Sequence, residues 1–142
     1  MTTQTVLIGS LTIPGRPECL SAARKFVAQA LGGGDWADTA VLLASELLTN
    51  SLQHSASGRP GGLITITLIQ IPGGVRAEVA DAGSPTVPAV RPALAGPPEP
   101  AENGHGLQLV DSISHRWGHT CDHTGATTWF ELDETTMNGN QG

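Results

Sequence analysis

The stretch that most limits how this chain can fold is a period-two hairpin. LITITLIQI over 63–71 alternates its side chains, Pro72-Gly73-Gly74 follows, and VRAEVAD over 75–81 returns. Alternating apolar runs flanking a Pro-Gly-Gly turn predict two antiparallel strands. On the returning strand Val75, Ala77, Val79 and Asp81 share one face, and Arg76 and Glu78 take the other. Asp81 therefore ends an otherwise apolar face. A buried carboxylate is costly unless it is paired or hydrogen-bonded, so Asp81 needs a partner.

The elements that could cover this hairpin lie on both sides of it. TVLIGSLTI over 5–13 reads as a strand weakened by Gly9, and Pro14-Gly15 breaks it. Pro17 suits the first turn of a helix in which Leu20, Ala23, Phe26, Val27, Ala30 and Leu31 recur at helical spacing. Gly32-Gly33-Gly34 ends it, and Asp35 is expected to cap a second helix over 36–54. Beyond the hairpin come a short helix over 107–114 and strands over 117–122 and 127–132, joined by a turn around His123-Thr124-Gly125. The tail, 133–142, is polar and expected to fray. Strands and helices are grouped rather than alternating. That pattern points to an α+β fold: a two-layer sandwich of a mostly antiparallel mixed sheet with helices on one face. At 142 residues the chain is long enough for one domain, 1–142, with a single core.

Polar residues interrupt this scheme in an ordered way. On the second helix Glu46, Asn50 and His54 stand four residues apart, so they stack along one face beside Leu43, Ala44, Leu47, Leu48 and Leu52. Taken alone, they could be an ordinary solvated face. The segment 83–104 holds six of the ten prolines and has no usable periodicity, and a loop of that length inside a compact domain is expected to be a lid. Gly104-His105-Gly106 then opens a helix, where exposed backbone N–H groups and the helix dipole favour a phosphate.

Charge narrows the partners. Thirteen acidic residues against seven basic ones give a net charge of −6, and Lys25 is the only lysine. Non-specific binding to nucleic acid or to an anionic membrane needs basic patches, so neither is expected. The amino-terminal residues have neither the basic region nor the apolar core of a secretory signal, and a cytoplasmic location is expected. Cys19 and Cys121, about a hundred residues apart, are expected to be free thiols.

The ExxxN helix, the Asp81-x-Gly83 pair and GHGLQLV over 104–110 appear in a fixed order. Together they resemble the Bergerat (GHKL) ATP-binding fold shared by gyrase, Hsp90, histidine kinases and MutL. The SELLTNSLQH stretch and the RWG…WFEL ending are most similar to its anti-sigma-factor serine/threonine kinase branch. The resemblance implies an ATP- and Mg²⁺-binding regulator of transcription that phosphorylates an anti-sigma-factor antagonist and binds that antagonist or a sigma factor. It implies Asn50 as the Mg²⁺ ligand; Glu46, one turn earlier, could serve as general base or orient a water of the Mg²⁺ shell, and His54 could donate to phosphate. It places Asp81 and Gly83 at adenine, Gly104, His105, Gly106 and Leu107 at the phosphates, and Thr127 near the adenine-binding aspartate. Homodimerisation rests on the resemblance alone.

The chain also departs from that pattern. Pro85 stands where the adenine segment often has a second glycine, and it supplies no backbone N–H. Ala126 stands where lysine often follows the glycine before the last strand. These departures favour an alternative, a non-catalytic module that binds nucleotide and a protein partner. A separate cluster, His115, His119, Cys121 and His123, has residue types that bind Zn²⁺ or Cu²⁺, but its spacing is a poor match to the usual zinc motifs.

Overall fold

A computed structural model describes residues 5–54, 62–82, 105–123 and 125–133. In chain order it has β1 (Val6–Pro14), a 3-10 turn (Pro17–Cys19), α1 (Leu20–Leu31), α2 (Gly34–His54), β2 (Leu63–Ile71), β3 (Gly74–Asp81), α3 (His105–Ile113), β4 (Arg116–Asp122) and β5 (Gly125–Asp133). The strands form one sheet in the order β1-β2-β3-β5-β4. Every described pairing is antiparallel, which sharpens the expected mixed sheet into an antiparallel one.

The hairpin forms as its alternation requires. Gly73 takes φ +76°, which an L side chain rarely adopts, and lets the chain reverse. Ile64, Ile66 and Leu68 on β2 and Val75, Ala77 and Val79 on β3 all point to one buried face. Phe130 and Leu132 continue that face on β5. Against it pack Leu20, Ala23 and Val27 of α1, Leu43, Ala44, Leu47 and Leu48 of α2, and Val110 of α3. Each of the larger side chains contributes about 1.5–3 kcal/mol by leaving water.

α1 and α2 form a helical hairpin whose turn is set by the three glycines, with φ of 84°, 80° and 87°. Gly32 N–H donates to the Gln29 carbonyl at 3.3 Å and Gly33 N–H to that of Ala28 at 3.2 Å, a Schellman closure of α1. α2 starts at Gly34, two residues earlier than expected. Asp35 therefore sits inside its first turn, where its charge complements the helix dipole, rather than at the cap. α1 packs on β1 and α2, α2 on β3 and β5, and α3 on α2 and β4. α2 is thus the middle helix, over the centre of the sheet.

Asp133, the first residue of the tail expected to fray, instead pairs with Gly74 and closes β5. The rest of that tail and the expected lid, 83–104, lie outside the described residues.

On the face away from the helices, Trp129 lies against Gly118, where a Cβ would come within 2.6 Å of its ring. The Arg76 guanidinium stacks on the same ring. Glu131, only 6% exposed, accepts hydrogen bonds from Arg76 Nη1 and Arg116 Nε, both at 2.9 Å. These contacts tie β3, β5 and β4 together from outside the core.

Candidate functional site

The polar row on α2 sits where the middle helix turns from buried to open. Arg24 Nε on α1 donates to Ser45 Oγ at 2.9 Å, which marks the flank of α2 turned toward α1. At about 100° per residue, Glu46 and Asn50 fall across the buried stripe of Leu43 and Leu47 from Ser45, on the flank toward α3. Both are half-buried. Their side-chain oxygens, one helical turn apart, suit a hard cation such as Mg²⁺. His54 is the last residue of α2.

Asp81 is the last residue of β3 and stands half-buried at the end of the apolar row Val75, Ala77, Val79. Its neighbour across the sheet is Ala126, and the next pair on that face is Val79 and Thr128. Gly125 makes this edge possible: a Cβ there would lie 2.2 Å from the Asp81 carbonyl oxygen. The chain leaves Ala82 for the undescribed 83–104 and returns at His105, which opens α3 with Gly106 and Leu107. Asp81 and the start of α3 therefore bracket that segment. Gly83 and Gly104 fall within it, outside the described residues.

Thr127 does not share the face of Asp81. It pairs with Ala80 and lies on the outer face with Trp129 and Glu131. Thr128, one residue on, faces the helix layer with Asp81 and is 5% exposed. Alternation carries the signal for this, since Phe130 and Leu132 mark the inner face and place Thr128 with them. The signal is blurred because Trp129, on the outer face, is also apolar.

His119 is a second residue at this edge. It lies opposite Thr128 in the β4–β5 pairing, and its Nδ1 is 2.8 Å from Thr128 Oγ1. Burial lowers its pKa below the ordinary histidine value, partly offset by the negative charge of Asp81. In sequence His119 stands out only as part of the His115/His119/Cys121/His123 group. Among the described residues no set of three or more His, Cys, Asp or Glu side chains is arranged to hold a metal ion. His115 Nδ1 instead lies 3.9 Å from Asp133, and Cys19 and Cys121 are both unbridged.

A carboxylate at the end of a buried strand face, a hydroxyl beside it and an oxygen-bearing flank on the middle helix suit a polar ligand held between the ends of the interior strands β3 and β5 and the helix layer. Residues 13–131 match the family model of the histidine kinase-like ATPase domain. The chain belongs to that family. Membership of the histidine kinase-like ATPase domain family implies nucleotide binding.

Over 75 residues the domain is 37% identical to an uncharacterized protein of Streptomyces coelicolor, covering 52% of this chain and 66% of that one. Among solved structures it is similar to the RsbU and RsbW domains of a Mycobacterium tuberculosis protein. That match has a TM-score of 0.58 and 18% identity, over 88% of this chain and 32% of that one. It is also similar to the histidine kinase domain of a blue-light activated histidine kinase from Erythrobacter litoralis. There the TM-score is 0.53 with 21% identity, over 89% of this chain and 64% of that one. The ATPase domain thus spans less than two thirds of each of these proteins, and at such identities the structural likenesses carry the fold. No helix among the described residues is long and apolar enough to cross a membrane.

Proposed function

We propose that this ATPase domain binds ATP with Mg²⁺ and acts as an anti-sigma-factor-type serine/threonine protein kinase in the cytoplasm. Its substrate would be an anti-sigma-factor antagonist. The observation that carries the reading is Asp81, an acceptor held at the end of a buried apolar strand face in a histidine kinase-like ATPase domain. A carboxylate there can accept from the exocyclic amine of adenine, and a carboxylate offers about four lone-pair sites, enough for a ligand and a protein partner together. Thr128, rather than Thr127, is the threonine on that face.

Asn50 would hold the Mg²⁺, with Glu46 one turn earlier orienting its water shell or serving as base. The metal would neutralise charge on the phosphates. Glu46 would take the proton of the antagonist's hydroxyl while that oxygen bonds to the γ-phosphorus and the bond to the β-phosphate oxygen breaks, releasing ADP. Residues 105–107 at the start of α3, with Gly83 and Gly104 beyond the described residues, would approach the base and phosphates, and His54 would donate to phosphate. Closure of 83–104 over the nucleotide would couple nucleotide state to a surface for the antagonist or a sigma factor, in this chain or a homodimer of it.

A second reading is a nucleotide-dependent binding module without kinase activity. It is favoured by Lys25, the only lysine, which sits exposed on α1 against β1, at the sheet edge opposite β4.

Calorimetric titration with ATP, with and without Mg²⁺, tests the common ground, and labelled-phosphate transfer to candidate antagonists separates the two readings. The kinase reading expects ATP binding that Asp81→Asn weakens, and transfer that Glu46→Ala abolishes while affinity is kept. Binding without transfer to any antagonist selects the binding module, and absence of ATP binding by the wild type overturns both.

A further inference from the structure

Building on that reading, we propose that His119 is a positioning residue that orients the Thr128 hydroxyl so that the Asp81–Thr128 pair accepts adenine and rejects guanine. Asp81 and Thr128 are diagonal neighbours on the helix-facing side of β3 and β5. Such neighbours lie about 7–8 Å apart in the backbone, close enough for their side chains to meet one planar ring edge. Adenine offers an amine donor beside a ring-nitrogen acceptor on that edge. Guanine offers a carbonyl acceptor beside an N–H donor. An ionised carboxylate can only accept, so Asp81 suits the amine and the adjoining ring nitrogen needs a donor.

Thr128 has one hydroxyl hydrogen to give, and His119 decides where it goes. Thr128 is a buried residue, and the imidazole Nδ1 stands 2.8 Å from its hydroxyl oxygen in a part-buried contact. If Nδ1 accepted, it would consume that hydrogen and leave the pair with acceptors only. If Nδ1–H donates, it fills one lone pair of Oγ1 and turns the hydroxyl hydrogen toward the ligand. His119 in the Nδ1–H tautomer therefore gives the edge an acceptor at Asp81 and a donor at Thr128, the complement of adenine. Burial, which disfavours the charged imidazole, is compatible with this neutral tautomer. The tautomer is in turn held by what the other ring nitrogen meets.

The test compares ATP and GTP affinities by calorimetry in the wild type, His119→Ala, His119→Asn and His119→Phe, with melting temperatures recorded for each. His119→Asn keeps an N–H donor near the Nδ1 position, whereas His119→Phe keeps bulk without one. The proposal expects the preference for ATP over GTP to fall about tenfold in the Ala and Phe variants, the worth of about one hydrogen bond. It expects His119→Asn to restore most of it. A folded His119→Phe with the wild-type preference overturns the proposal, as does an Asn variant no better than Phe. A wild type that binds neither nucleotide overturns the nucleotide reading itself, and a wild type that binds both equally overturns the positioning role alone.

Discussion

The guanidinium carbon of Arg76 lies 3.8 Å from the centroid of the Trp129 ring, while its Nη1 holds the buried carboxylate of Glu131 at 2.9 Å. Arg116 reaches the same carboxylate but stands 5.9 Å from the ring, and its side chain is 63% exposed against 24% for Arg76. The two arginines are therefore not equivalent. Arg76→Ala should cost about 2–3 kcal/mol, because it strips both a stacked cation and a partner from a buried charge. Arg116→Ala should cost about 1 kcal/mol or less, as solvent-screened pairs do. Urea unfolding of the two variants gives the ordering, and equal losses would contradict it.

Gly125→Ala should be among the most damaging single substitutions. The added Cβ meets the backbone carbonyl of Asp81, which cannot rotate aside as a side chain can, and φ of 152° is itself unfavourable for alanine. A loss of about 3 kcal/mol or more is expected by thermal unfolding, the range seen when several named strains combine at one site. The same clash displaces Asp81, so ATP affinity should fall even in the fraction that stays folded.

Thr128→Val and Thr127→Val form a matched pair. Both are isosteric swaps on one strand, but only Thr128 lies on the face of Asp81. Thr128→Val should weaken ATP binding about five- to tenfold, the value of about one hydrogen bond, while Thr127→Val leaves it within about twofold. The reverse order in a calorimetric titration would return the role to Thr127.

Acid should destabilise the fold through His119. Its folded pKa is lowered by burial, so near and below about pH 6.5 the unfolded chain takes up the proton more readily than the folded one. The stability associated with its neutral form is complete above that pH and is lost as pH falls toward the lowered value. Melting temperatures from pH 8 to pH 5 should decline over that window, and His119→Asn should flatten the decline. An unchanged slope in the variant would mean that another group is responsible.

Most of the fold is legible in the sequence because two periodicities are clean. The alternation of 63–71 and 75–81 fixes both strands and their inner face, and the triple glycine fixes the turn between the first two helices. What escapes is register across the sheet. Nothing local says that β5 inserts between β3 and β4, and so nothing local sets Thr128 beside Asp81 or His119 behind Thr128. Trp129 adds to the ambiguity, since an aromatic ring reads as core. It instead covers Gly118 on the outer face and carries the arginines. Asp81 is legible for the opposite reason: a single charge ending an apolar row has few innocent explanations.

The sheet order also has a consequence for the chain while it is being made. β5 is the latest of the described strands to be synthesised, yet it fills an interior place, and its Phe130 and Leu132 are among the fully buried side chains. A nascent chain that has reached β4 can hold only the three-stranded sheet β1-β2-β3, with β4 still without a strand partner, and so has two unjoined edges, that of β4 and the edge of β3 that carries Asp81. Until β5 emerges from the ribosome those edges are open to pairing with other chains, so the step that completes the core is also the one that ends this exposure.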